Sequence, residues 1–155
     1  KRRTLRSGIT KREREEYKRL LSELDLGLEN RMTAKVGLLS GGQRQALTLL
    51  MASLNCPKLL LLDEHTAALD PKTAAKVLDI TQRIVENNHL TTLMITHNMK
   101  DAIAYGNRLI MLHEGQIIID VSGEEKKNLT VEDLLTLFNK ASGTVFANDR
   151  AILSD

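Results

Sequence analysis

Apolar and polar positions divide the chain into alternating helical and extended stretches. Thr10, with Glu13 three residues on, forms a capping box. Tyr17, Leu20, Leu21 and Leu24 then recur at helical spacing as one apolar stripe, and Gly27 is the expected stop. Residues 28–38 carry little pattern and read as a loop, with Val36, Leu38 and Leu39 placed to pack beneath the next segment. Ser40 caps a second helix, whose apolar face is expected to be Leu47, Leu50, Met51 and Leu54; Asn55-Cys56-Pro57 breaks it.

Strand Lys58–Asp63 follows, with four leucines running without a polar break into Asp63 and Glu64, as in a strand buried in a parallel sheet. Asp70-Pro71 is a cap with proline at the first helical position. The helix it opens is marked by Val77, Leu78, Thr81, Ile84 and Val85 and should lie on the sheet. Thr91–Thr96 reads as a second strand and Met99–Tyr105 as a helix. Arg108–Leu112 and Gln116–Val121 form a hairpin turned at His113-Glu114-Gly115. Thr130 caps a last helix with Val131, Leu134, Leu135 and Phe138 on its buried side, and past Lys140 the pattern fades into a tail. No internal repeat is present. Strands alternating with helices predict an α/β layered domain with a largely parallel sheet.

Composition changes this picture little. The 155 residues make one domain's worth of chain, and with aromatics at 3% the core must be built from Leu, Ile, Val, Met and Ala. No apolar run approaches the ~18 residues needed to cross a bilayer, and there is no signal-peptide pattern at the start. Cys56 is the only cysteine, which excludes an internal disulfide and fits a reducing cytoplasm. The net charge of +2 conceals an asymmetry: residues 1–19 carry nine Lys/Arg and three Glu, a net of +6, leaving −4 for the remainder. Such a basic opening could touch nucleic acid or lipid head groups. Only Tyr17 interleaves with the charges, so it reads as a solvated helix face, and no nucleic-acid partner is expected.

The chemistry concentrates between Leu39 and Asp70. Ser40-Gly41-Gly42 at a helix start offers a hydroxyl and several free backbone N–H groups, an anion site by dipole and orphan donors. Asp63 ends the leucine run, and a hard carboxylate there suits Mg²⁺, usually reached through water. Glu64, one residue further, projects the other way from the strand. His65, His89 and His113 read as surface residues whose spacing offers no metal pair.

In this order the segments resemble the ATP-binding cassettes of ABC transporters. Leu39–Gln43 is similar to their signature motif, Leu59–Glu64 to the Walker B strand, Ala68-Leu69-Asp70 to the D-loop, and Thr96-His97 to the switch histidine. The resemblance implies a P-loop NTPase (RecA-like) layered fold with part of the helical signature subdomain. The expected division is 1–45 for that subdomain, 46–122 for part of the ATPase core lobe and 123–155 for a C-terminal helix and tail. It further implies ATP and Mg²⁺ as cofactors, with Glu64 as the base acting on the attacking water. His97 would sit on the γ-phosphate and the base, holding the water in line. Ser40, Gly41, Gly42 and Gln43 would serve the nucleotide of a partner subunit, the glycines letting backbone approach the phosphate. Asp70 would cross the dimer interface.

Two departures from the family pattern stand out. The family commonly has proline where this chain has His65. No Gly-x-x-x-x-Gly-Lys-Ser/Thr occurs here: Gly37 to Gly42 has the spacing, but Gln43 follows where lysine is required. The glutamine loop and adenine-stacking aromatic are absent as well, so the chain reads as the C-terminal part of a cassette. The resulting expectation is an ATP-hydrolysing subunit of an ABC transporter, importer-type, on the cytoplasmic face of the membrane. It would pair head-to-tail with a second ATP-binding subunit and act with transmembrane subunits and a substrate-binding protein. The alternatives are the ATPase head of a chromosome-maintenance or DNA-repair protein, for which residues 10–25 are too short to lead in a coiled coil, and a non-catalytic module that only docks on a partner cassette.

Overall fold

The computed structural model describes residues 9–142, and it divides into two compact units between Ile95 and Thr96. In the first unit, helix α1 (Lys11–Ser22) opens on the expected capping box: Thr10 Oγ1 accepts from the Glu13 amide while the Glu13 carboxylate accepts from the Thr10 amide. α1 buries none of its residues, in keeping with a solvated basic face. It ends before Gly27. Asp25 already turns left-handed at φ 52°, and Lys76 ties that turn down by donating to the Asp25 carbonyl at 2.6 Å and its carboxylate at 3.2 Å. Gly27, at φ 69°, instead starts a single 3₁₀ turn over Leu28–Asn30.

A second 3₁₀ turn, Val36–Leu38, occupies the stretch expected to be a plain loop. Only Leu39 of the three apolar residues there is buried; Val36 and Leu38 stay exposed, because the 3₁₀ turn projects them outward while Leu39 begins the extended entry to the next helix. Helix α2 (Gly41–Ser53) packs on α3 (Pro71–Asn87), and its buried face is Gly42, Ala46, Leu49, Leu50 and Ser53; of the expected stripe Leu50 is buried and Leu47 partly so, while Met51 and Leu54 are exposed. Met51 is 64% exposed. The stripe was misplaced because small residues, Gly42 and Ala46, mark the side where the two helices approach closely.

Strand β1 (Leu60–Asp63) pairs in parallel with β2 (Thr92–Ile95), Leu60 opposite Thr92 and Asp63 opposite Ile95. Leu60 and Leu62 face the core formed with Leu24, Leu28, Ala46, Leu49 and Ile80. The other face is open: Leu59, Leu61, Leu93 and Ile95 are each half or more exposed. The leucine run therefore alternates in burial, as any strand must when one face is covered, and is not buried on both sides as expected. α3 lies on the core with Val77, Leu78, Ile80 and Thr81 buried.

The second unit starts with α4 (Met99–Ala104), capped by Asn98. Strands β3 (Arg108–His113) and β4 (Gln116–Ser122) form an antiparallel hairpin, so among the described residues the sheets are one parallel and one antiparallel pair. Glu114 and Gly115 both take positive φ, 49° and 77°, as a two-residue hairpin turn with right-handed strand twist requires. A short helix, α5 (Gly123–Lys127), was not anticipated; it buries Lys126, whose ammonium donates to the Ile103 carbonyl near the end of α4. Helix α6 (Val131–Ser142) packs Leu134, Leu137 and Phe138 against the hairpin core, while Leu135, expected inside, is 40% exposed. The tail beyond Ser142 lies outside the described residues.

Candidate functional site

The signature segment is built as a reciprocal cap. Ser40 Oγ accepts from the Gln43 amide at 3.2 Å, and Gln43 Oε1 accepts from the Ser40 amide at 3.1 Å. Gln43 Nε2 donates to the Leu26 carbonyl at 3.1 Å, and Arg44 donates to the Leu39 carbonyl at 2.6 Å. The start of α2 is thus held from three sides. Of the first-turn amides, Gly41 and Gly42 have no acceptor among the described residues, which narrows the anion-binding donors to two.

Both glycines are also closely packed, Gly42 the more tightly. A Cβ on Gly41 would come 2.9 Å from Leu69 Cδ2, and one on Gly42 would come 2.3 Å from Thr73 Cγ2. The close approach locks the signature end of α2 to Leu69 and to the first turn of α3, which Asp70 caps by accepting from the Thr73 amide at 3.1 Å. Hydrogen bonds from Thr73, its hydroxyl first and its amide second, hold the Asp70 carboxyl below the usual carboxylate range. Ser40, Gly41, Gly42, Gln43 and Asp70 therefore belong to one joined assembly.

Asp63 shares the open face of β1 with Leu61 and is exposed. Glu64 leaves the strand at once: its amide donates to the Ile95 carbonyl at 3.0 Å, extending the β1–β2 ladder by one bond, and its φ of 42° turns the chain into the left-handed region. Two turn bonds, Ala67 N–H to Glu64 O at 3.0 Å and Leu69 N–H to Thr66 O at 3.1 Å, carry the segment to Asp70. His65 is half-buried, and its Nε2 lies 3.1 Å from Thr81 Oγ1. It is not the surface residue expected. Neither is His113, whose ring meets Phe138 edge-on at 5.4 Å; His89 is exposed as expected.

His97 is exposed and belongs to the second unit, in the turn where the Asn98 amide donates to Thr96 Oγ1 at 3.1 Å ahead of α4. Among the described residues no three His, Cys, Asp or Glu side chains group as a metal cage. Thr73, and the contact of Leu69 with Gly41, could not be read from the sequence; a glycine pair at a helix start signals a close neighbour, but nothing in the chain names which one.

Comparison with known proteins follows the same lines. A family model described as ABC transporter matches residues 2–67. A tyrosine transport ATP-binding protein of Clostridioides difficile is 56% identical over 122 residues, covering 79% of this chain and 49% of its own. The chain belongs to the ATP-binding cassette family. A methionine import ATP-binding protein of Halalkalibacterium halodurans is 38% identical over 131 residues, covering 81% of this cassette chain and 38% of its own. Among solved structures, an ATP-binding cassette in its ADP conformation is 27% identical with a TM-score of 0.60, covering 83% of this chain and 45% of its own. A dimeric cassette in a post-hydrolysis state, bound to ADP and phosphate, is 30% identical with a TM-score of 0.59 over 78% of this chain and 50% of its own. This cassette chain thus spans about half the length, or less, of the relatives it matches. No helix among its described residues is long and apolar enough to cross a membrane.

Proposed function

We propose that these residues act within an ATP-hydrolysing subunit of an ABC importer. The observation that carries the reading is the joined assembly in the first unit. A helix start with two open amides is packed against the D-loop cap, and the same stretch runs back through two turns to Asp63 and Glu64 at the end of a parallel strand. Two open amides and two carboxylates on one folded frame support a phosphate-handling role. The proposed division of labour is 1–45 as signature subdomain, 46–122 as core lobe and 123–155 as C-terminal helix and tail.

Asp63 fits Mg²⁺, which favours one or two carboxylates with water and phosphate. Held there, the ion would supply charge neutralisation for the triphosphate. Glu64 takes the proton of the attacking water, and its left-handed turn re-aims a side chain that would otherwise continue the strand's alternation. His97 steadies the γ-phosphate region, since phosphoryl transfer depends on positioning and charge stabilisation. Ser40, Gly41, Gly42 and Gln43 address the nucleotide of a second subunit in a head-to-tail dimer, and Asp70 lies at that interface. A dimeric cassette among the similar structures supports this pairing. Transmembrane subunits and a substrate-binding protein complete the importer, which would sit at the cytoplasmic membrane face. The tyrosine-transport relative makes an amino acid the proposed cargo.

The test is Glu64→Gln in the full-length subunit that carries this sequence. It keeps size and removes the proton acceptor, so hydrolysis should fall by about 10²-fold or more while ATP binding persists. Steady-state turnover within about threefold of wild type would rule out the base assignment.

A further inference from the structure

The turn that bears Glu64 is held from a side that the proposed catalysis does not use. Thr81 sits in the third turn of α3, 6% exposed, and its hydroxyl donates to the Val77 carbonyl at 2.8 Å. That bond consumes its one proton and fixes its rotamer, so the oxygen facing His65 can only accept. With the hydroxyl proton on Val77, a hydrogen bond to the ring atom 3.1 Å away requires the hydrogen on His65 Nε2. His65 directly follows Glu64, a non-glycine residue at φ 42°, a conformation that persists only where neighbours over-determine it.

On one side, the Glu64 amide is bound to the Ile95 carbonyl. On the other, the next residue is pinned sixteen positions away in sequence, on a helix whose buried face is part of the core. Resting on the reading of Glu64 as the base, we infer that His65 is a positioning residue: its Nε2–H, donated to Thr81, keeps the Glu64 turn left-handed against α3. Histidine leaves φ free, and the bond to α3 supplies the constraint. Thr81, which periodicity places among apolar positions, is the acceptor that makes this work.

The experiment measures ATP turnover per ATP-binding site in the full-length subunit, so that loss of folded protein cancels. His65→Phe keeps a ring without the donor, and Thr81→Val keeps the volume without the acceptor. Each should lower turnover about three- to tenfold, the worth of one neutral hydrogen bond, with KM for ATP within twofold. The double variant should be no slower than the worse single one. His65→Gln, whose amide nitrogen stands near Nε2, should recover most of the loss. Nitrogen chemical shifts of the His65 ring should report the Nε2–H form, and Thr81→Val should move them. Turnover of His65→Phe within twofold of wild type, strictly additive losses, or an Nδ1–H ring would each overturn the inference. Glu64→Gln is the control. If it stops hydrolysis and His65→Phe does not, only the positioning claim falls; if Glu64→Gln stays active, the base reading falls and takes this one with it.

Discussion

At the scale of single residues, the signature glycines show how one sequence feature serves two physical demands. Glycine was expected at this helix start so that backbone could approach a phosphate, and residue type alone supports that. The structure adds that Gly42 faces inward, where a Cβ would stand 2.3 Å from the Thr73 methyl. Helix propensity alone would favour alanine by up to about 1 kcal/mol. Here the clash should win, because Thr73 is a β-branched side chain in a capped first turn with few rotamers open to it. Gly42→Ala is therefore expected to destabilise the protein by about 1–3 kcal/mol, as overpacking does. Adding Thr73→Ser, which removes only the methyl, should restore most of it. Chemical denaturation of the two variants checks this, and equal loss in both would mean that the contact is not the cause. His65 teaches the converse lesson. Its residue type and position gave no sign of a partner, because the acceptor lies sixteen residues away and looks like an apolar position. Local chemistry was legible there, and the pairing across elements was not.

Among the elements, what could be read from the chain was whatever is decided locally. The caps at Thr10, Ser40, Asp70 and Thr130 all form, since each needs only a side chain and an amide two or three residues on. The Glu114-Gly115 hairpin turn is equally local. What failed was decided by neighbours: which leucines of β1 are covered, which stripe of α2 meets α3, and the short α5 that encloses Lys126. Burial there disfavours the charged form and lowers the ammonium's pKa, a cost no sequence window reveals. The Asp70 cap gives a pH prediction at this scale. Its folded-state carboxyl titrates below its ordinary value of 3.8, so the ionised cap contributes stability above that value. The contribution is lost as pH falls through the lowered folded value. Asp70→Asn caps equally well without titrating. Thermal melts should therefore show wild type the more stable near neutrality, the gap closing below about pH 4. A gap that does not change with pH would show that the charge contributes nothing.

Taken whole, the molecule has the segments proposed to face a phosphate and a chain in which no Gly-x-x-x-x-Gly-Lys loop occurs. The cassette order of motifs was plain from the residues, because each motif is short and contiguous. The open face of the parallel sheet was not, since a leucine run looks the same whether one side or both are covered. Both features bear on what these 155 residues do by themselves. Triphosphate affinity in such sites comes from several backbone N–H bonds acting with a lysine, each charge-assisted bond worth roughly 1.5–3 kcal/mol. Lacking even three leaves affinity weaker by about 4–9 kcal/mol, a factor of ~10³ or more. The two open amides at Gly41 and Gly42 add only helix-end terms of ~0.3–1 kcal/mol. Meanwhile Leu59, Leu61, Leu93 and Ile95 present one apolar face, an invitation to self-association. The chain on its own is thus expected to bind Mg-ATP no better than millimolar and to associate with itself as concentration rises. Calorimetric titration and sedimentation velocity on the same sample would check both. Micromolar binding by the 155-residue chain would point to a phosphate site outside the signature end and would overturn the expectation that the two open amides at Gly41 and Gly42 are too little to hold a triphosphate.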